Sequence, residues 1–241
     1  MSRASRVQDV RRQTMEVPPI LGRIERDGLR SFVVIYLYES ANDKLIWGDN
    51  FVKLFFIRHG QTDWNLEGRI QGSYDSELNN TGIMQAEELG RKSIESNYKF
   101  CRIYSSNQKR AVKTAEILSE ATNVEYTLIK GLEEINLGEW EGLTWSEVQE
   151  KFPKEYDEWY NNRRYAKSPK GESYQELLDR VLPIIDRIIN ENSDDVAIVS
   201  HGAVMMCLQC YLTNTPFNEM RKFKLGNTTI TEIDSELFTK K

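Results

Sequence analysis

The chain has 241 residues, of which 39% are apolar and 29% charged, with a net charge of −5 at pH 7. That length buries a core large enough to fold without disulfide or metal staples, as one domain or one domain plus an appendage. The acidic total argues against a nucleic-acid partner. It leaves an anionic small molecule open, because a local group of arginines sets the field inside a pocket.

Residues 1–50 read differently from the rest. "MSRASRVQDVRRQTMEVPPILGR" has little periodicity and contains Pro18-Pro19. "SFVVIYLYES" has strand composition, and "ANDK" can turn it back toward "LIWGD". The expectation is an N-terminal extension, poorly ordered or forming a small hairpin over 32–47, ahead of a functional domain at 51–241. Its arginines lead into no apolar core of a signal peptide. An amphipathic transit segment stays open, with Asp9 and Glu16 against it. The longest apolar run, "FVVIYLY", falls short of the ~20 residues of a membrane span.

From Val52 the pattern becomes regular. "VKLFFIR" (52–58) is a continuous apolar run suited to a strand buried on both faces. Residues 81–96 form a helix with Ile83, Ala86, Leu89 and Ile94 on one side. "FCRIYSS" (100–106) is a strand, followed by a helix over 107–120 that Ser106 caps. A further strand is expected at 124–130, and Thr144 with Glu147 makes a capping box that opens a helix. Residues 172–192 form a long amphipathic helix that Pro183 should kink. "DVAIVS" (195–200) is a buried strand, 202–212 the helix after it, and "NTTITEID" (227–234) the last strand. This alternation implies a three-layer α/β sandwich around a mostly parallel sheet.

The three cysteines are Cys101, Cys207 and Cys210. So sparse a count suggests reduced thiols and a cytoplasmic setting. The "CLQC" pair lies inside the apolar "AVMMCLQCYL" with no second such pair, which favours buried helical thiols over a metal or redox site.

The chain has only two histidines, and they fall in matching places. His59-Gly60 and His201-Gly202 each end a buried strand. Ligands of open α/β sheets bind outside the carboxyl ends of the strands, so the two imidazoles can share a pocket. Arg58 precedes His59 directly, and Arg110 lies in the first turn after the strand 100–106, where free helix amides attract anions. Forked guanidinium donors suit a phosphate. A carboxylate is available from "GLEEINLGEWEG" (131–142), but spacing does not choose among Glu133, Glu134, Glu139 and Glu141.

"RHGQTDWNLEGRIQG" (58–72) resembles the signature of branch 1 of the histidine phosphatase superfamily, which is phosphoglycerate mutase-like. "SSNQKRAVKTA" (105–115), "LEEINLGEWEG" (132–142) and "VSHG" (199–202) extend the resemblance over most of 52–234. It implies a phosphorylated nucleophile at His59, a phosphate clamp of Arg58, Arg110 and His201, and a proton donor at Glu134. Asn65 matches a phosphate contact; Gly60, Gln61 and Thr62 line the same loop, and Gln71, Gly72 and Gly202 complete the substrate-binding set. The small Gly60 is expected to let the backbone approach the phosphate.

The residue types agree with that chemistry. A neutral imidazole attacks phosphorus well, and a covalent intermediate divides a hard transfer into two easier ones. One ring nitrogen must be unprotonated while the other is held by an acceptor, for which a backbone carbonyl is expected. No cofactor or metal is called for. The resemblance favours a small-molecule phosphatase acting on a small phosphorylated metabolite, because the interval from Glu134 to His201 is shorter than in the mutases. The alternatives are a phosphoglycerate mutase and a non-catalytic phosphate-binding protein. Arg163, Arg164 and Lys167 lie in that interval, either reaching the substrate or forming a solvated helix face.

Overall fold

The computed structural model describes residues 51–96 and 98–239. The hairpin expected at 32–47 lies outside them. Five strands form one sheet: β1 (Lys53–Arg58), β2 (Arg102–Ser105), β3 (Tyr126–Leu128), β4 (Val196–Ser200) and β5 (Ile230–Asp234). Their order is β3-β2-β4-β1-β5. The first four run parallel, and β5 runs antiparallel to β1 along the edge.

The central strands are apolar throughout because helices cover both faces. Leu54 and Phe56 of β1, with Val196 and Ile198 of β4, join one core cluster; Phe55, Ile57, Ala197 and Val199 join the other. The helices α2 (Asn80–Glu95) and α3 (Lys109–Thr122) cover the second cluster through Leu89, Ala111, Ala115 and Leu118. On the opposite face lie α4 (Trp145–Lys151), α5 (Pro153–Asn161), α6 (Tyr174–Glu191) and α7 (Gly202–Thr213). The short α1 (Asp63–Glu67) follows β1, and α8 (Glu236–Thr239) follows β5.

Two local expectations change. Ile94 is exposed, and α2 instead buries Gly82, Ala86, Leu89, Gly90 and Ser93. The reason is the close approach of α3: a Cβ on Gly90 would lie 2.5 Å from the Cβ of Ala121. Ser106 does not cap α3, whose N-cap is Gln108 without a side-chain cap. The helix α6 runs unbroken through Pro183, which sits on the exposed face, where water can meet the carbonyl left unpaired. The capping box of Thr144 and Glu147 is present. Cys207 and Cys210 are buried in α7 as free thiols.

Candidate active site

The register of the sheet builds the site. Arg58 pairs with Ser200 across β1 and β4, so His59 and His201 emerge side by side. Their ring centroids are 5.2 Å apart, and the His59 amide donates to the carbonyl of Ser200 at 3.1 Å. Both rings are buried. The β2 strand pairs with β4 one position earlier, Ser105 opposite Val199, which delivers Ser106 to the same end. The Oγ of Ser106 lies 2.8 Å from His201 Nε2.

Arg58, His59, Asn65, Gln71, Gly72, Arg110, Glu134 and Gly202 line one cavity of about 340 Å³. His201 is not among the lining residues; its ring stands beside that of His59, and its Nδ1 has no protein partner. Gly60, Gln61 and Thr62 do not line the cavity. The Gly60 amide donates to Thr114 Oγ1, and a Cβ at Gly60 would stand 2.5 Å from the carbonyl oxygen of Gly82. The need for glycine here therefore comes from the packing of α2 against the loop, not from the approach of a phosphate. Gln61 holds Gln85 and Asn79, and Thr62 is the buried N-cap of α1 in a capping box with Asn65.

His59 Nδ1 lies 2.7 Å from the carbonyl oxygen of Gly60. An acceptor there requires Nδ1 to carry the proton, which leaves the lone pair on Nε2. Burial pushes the His59 imidazole well below its usual range, and the charges of Arg110 and Arg58 push the same way against the hydrogen bond to Gly60. His201 is lowered by burial first and then by Arg110. Both rings are neutral at pH 7.

The two arginines are fixed by backbone carbonyls. Arg58 Nη1 donates to Leu225 O at 2.6 Å. Arg110 Nη1 and Nη2 donate to Tyr74 O at 2.6 Å and Gly72 O at 2.9 Å. Gly72 has a φ of 52°, a left-handed conformation suited to glycine. Burial lowers Arg110 to about 10, which leaves it charged at neutral pH. In each arginine the Nε is buried without a protein partner. A Cβ on Gly202 would come within 3.3 Å of Arg58 Nε, so the glycine after His201 leaves room for the guanidinium.

The structure also sorts the four candidate glutamates. Glu133 accepts from the Gly131 amide, Glu139 pairs with Lys170, and Glu141 accepts from Ser73 and the Leu137 amide. Only Glu134 lines the cavity. Its carboxylate accepts from the Ala203 and Val204 amides at 3.0 and 3.3 Å, in the first turn of α7. Arg180 holds the loop beneath it through the carbonyls of Gly131, Glu133 and Glu134 and a pair with Glu172.

Sequence reading missed much of the outer wall. Arg69, Trp145, Tyr174, Met206, Met220, Arg221 and Lys224 line the cavity. Of the three basic residues left open between the substrate and a solvated face, Arg163 lines the cavity, 7% exposed, with its guanidinium carbon 3.6 Å above the ring of Trp159. Arg164 and Lys167 turn to Gln175 and Glu176 instead. The aromatic spacing of Trp159 before Arg163 was the available signal, one helical turn apart. Among the described residues no cluster of three or more His, Cys, Asp or Glu could hold a metal ion, and no helix is long and apolar enough to cross a membrane.

A family model of the histidine phosphatase superfamily (branch 1) matches residues 54–238. The human "6-phosphofructo-2-kinase/fructose-2,6-bisphosphatase 3" is 34% identical over 180 residues, 75% of this chain and 33% of the relative. The chain thus spans about a third of the length of the curated relatives it matches. Among solved structures, a phosphoserine phosphatase from Entamoeba histolytica in complex with 3-phosphoglyceric acid superposes with a TM-score of 0.66 at 34% identity, covering 75% of this chain and 89% of that one. A mycobacterial glucosyl-3-phosphoglycerate phosphatase superposes with a TM-score of 0.67 at 28% identity, covering 75% and 90%.

Proposed function

The chain belongs to branch 1 of the histidine phosphatase superfamily, and on that premise we propose that it hydrolyses a small phosphate monoester through a phosphohistidine on His59. The observation that carries the reading is the bond from His59 Nδ1 to Gly60 O, which leaves Nε2 as a neutral nucleophile in a cavity shared with Arg58, Arg110 and Glu134.

In the first step the Nε2 lone pair attacks phosphorus and forms the N–P bond. The P–O bond to the alcohol breaks, and Glu134 gives its proton to the departing alkoxide. In the second step the Glu134 carboxylate takes a proton from water, the resulting hydroxide attacks phosphorus, and the N–P bond breaks. Inorganic phosphate leaves, with His59 neutral and Glu134 protonated again. Arg58, Arg110, Asn65 and His201 donate to the phosphoryl oxygens as charge spreads over them. These donors supply the electrostatic stabilisation that a metal ion gives in other phosphoryl transfers.

The substrate we favour carries further negative charge beside the transferred group. Arg163, Arg221 and Lys224 line the cavity in addition to the two clamp arginines, against one carboxylate. The named relatives act on compounds of that kind: a fructose bisphosphate, a glucosyl-phosphoglycerate and phosphoserine. Assaying a panel of phosphate esters for inorganic phosphate in the presence of EDTA tests the reading. Steady release without added metal supports it. Interconversion of 2- and 3-phosphoglycerate faster than release, stimulated by added 2,3-bisphosphoglycerate, would instead make the protein a mutase.

A further inference from the structure

Four non-glycine residues among those described have positive φ, and Thr228, at 54°, is the β-branched one. A β-branched side chain in the left-handed region is an outlier, and such outliers concentrate where the surroundings hold a functional group in place. The strand expected to start at Asn227 starts only at Ile230, because Asn227–Thr229 form a turn pinned to the end of β1. The Thr228 amide donates to Arg58 O at 2.9 Å, and the Arg58 amide donates to Thr229 O at 3.2 Å. Thr228 Oγ1 donates to Asn227 O at 2.8 Å.

The turn delivers the Asn227 carboxamide beneath the site. Its Nδ2 donates to His59 O at 2.9 Å and to Asn65 Oδ1 at 3.1 Å. Asn65 Oδ1 also accepts from the Thr62 amide at 3.2 Å. A carbonyl oxygen has two lone pairs, and both are thereby used. Rotating the Asn65 amide by half a turn would set its NH2 against two donors. The orientation is therefore fixed, with the oxygen inward and the NH2 left for the cavity that Asn65 lines.

We propose that Asn227 is a positioning residue: by donating to both His59 O and Asn65 Oδ1, it aims the Asn65 NH2 at the phosphoryl group and ties that donor to the backbone of the nucleophile. This rests on the reading of the cavity as a phosphoryl-transfer site with Asn65 among its donors. Asn227 itself does not line the cavity. Its influence runs through Asn65.

The test is a double-mutant cycle on the full chain. kcat/KM for p-nitrophenyl phosphate and inhibition by orthovanadate are measured for the unchanged protein, Asn65→Ala, Asn227→Ser and the double variant, with Tm recorded for each. Loss of one donor to a charged group predicts a fall of roughly 10- to 100-fold for Asn65→Ala. Asn227→Ser should fall about tenfold and bind vanadate more weakly. The double variant should match Asn65→Ala within about twofold, because the second change has nothing left to act through. Losses that multiply, or an unchanged Asn227→Ser, would overturn the proposal while leaving the phosphatase reading intact. An unchanged Asn65→Ala would instead remove the phosphate contact on which it rests. Should Asn227→Ser fail to fold, Asn227→Asp keeps the shape but puts an acceptor against His59 O and Asn65 Oδ1. It is expected to lose vanadate affinity, and undiminished affinity in the folded variant would count against the proposal.

Discussion

The Nδ1 atom of His59 stands 2.7 Å from the carbonyl oxygen of Gly60, so the residue after His59 selects which nitrogen of its ring is free. Two neighbouring residues thus settle a tautomer that otherwise needs a separate side-chain partner. Burial together with Arg110 and Arg58 keeps the same ring from taking a second proton.

That depression makes stability depend on pH. In the unfolded chain a histidine binds a proton below about pH 6.5. In the folded chain His59 and His201 remain neutral to a much lower pH. Below pH 6.5 the unfolded state therefore holds more protons, and stability falls as pH falls, by up to about 1.4 kcal/mol per pH unit for each histidine. Above that pH the two rings contribute no slope. Urea unfolding between pH 4.5 and 8 checks this, and His59→Gln should reduce the slope below pH 6.5. An identical slope in that variant would mean that His59 is protonated in the folded protein.

Gly60→Ala tests the packing role of that glycine. Its Cβ would meet the Gly82 carbonyl oxygen at 2.5 Å, with Gly82 C and Cα at 3.1 and 3.2 Å, all of them backbone. Overpacking of this kind costs about 1–3 kcal/mol. Denaturant midpoints should shift accordingly. Unaltered stability would show that α2 can withdraw from the loop.

Arg163 is the residue expected to distinguish substrates. Arg163→Met keeps the stem against Trp159 but removes the charge. The ratio of kcat/KM for an ester with a second anionic group to that for p-nitrophenyl phosphate should drop about 10- to 100-fold, as expected for a lost hydrogen bond to a charged group. An unchanged ratio would place the second charge elsewhere.

Glu134→Gln removes the proposed proton donor and keeps the shape. The rate should fall by about 10²–10⁴, the usual share of general acid–base catalysis. The fall should be smallest for p-nitrophenol, a leaving group that needs little protonation. A uniform loss across leaving groups would argue against proton transfer by Glu134.

The central strands β1 and β4 were legible because they are buried on both faces and read as continuous apolar runs, as "FFI" and "AIV" show. Strand ends then placed both histidines and Arg58 without further help. The outer wall was less legible for a physical reason. Arg221 comes from a short 3-10 helix over Phe217–Phe223 and Lys224 from the residue after it, and their approach to the cavity is set by tertiary packing. Ile94 misled because an apolar residue at helical spacing signals burial only when its neighbour helix leaves room for it. Here small residues take the interface. Asn227 gave no signal at all, since nothing in "NTTITEID" separates a turn holding two backbone segments from the start of a strand.

The central claim is that phosphate passes through His59. Mixing the protein with a 32P-labelled monoester and quenching in base within milliseconds should leave label that is stable to alkali, labile to acid and located on His59. His59→Ala should carry none and release no phosphate. Label on another residue, or full hydrolysis by His59→Ala, would contradict the account.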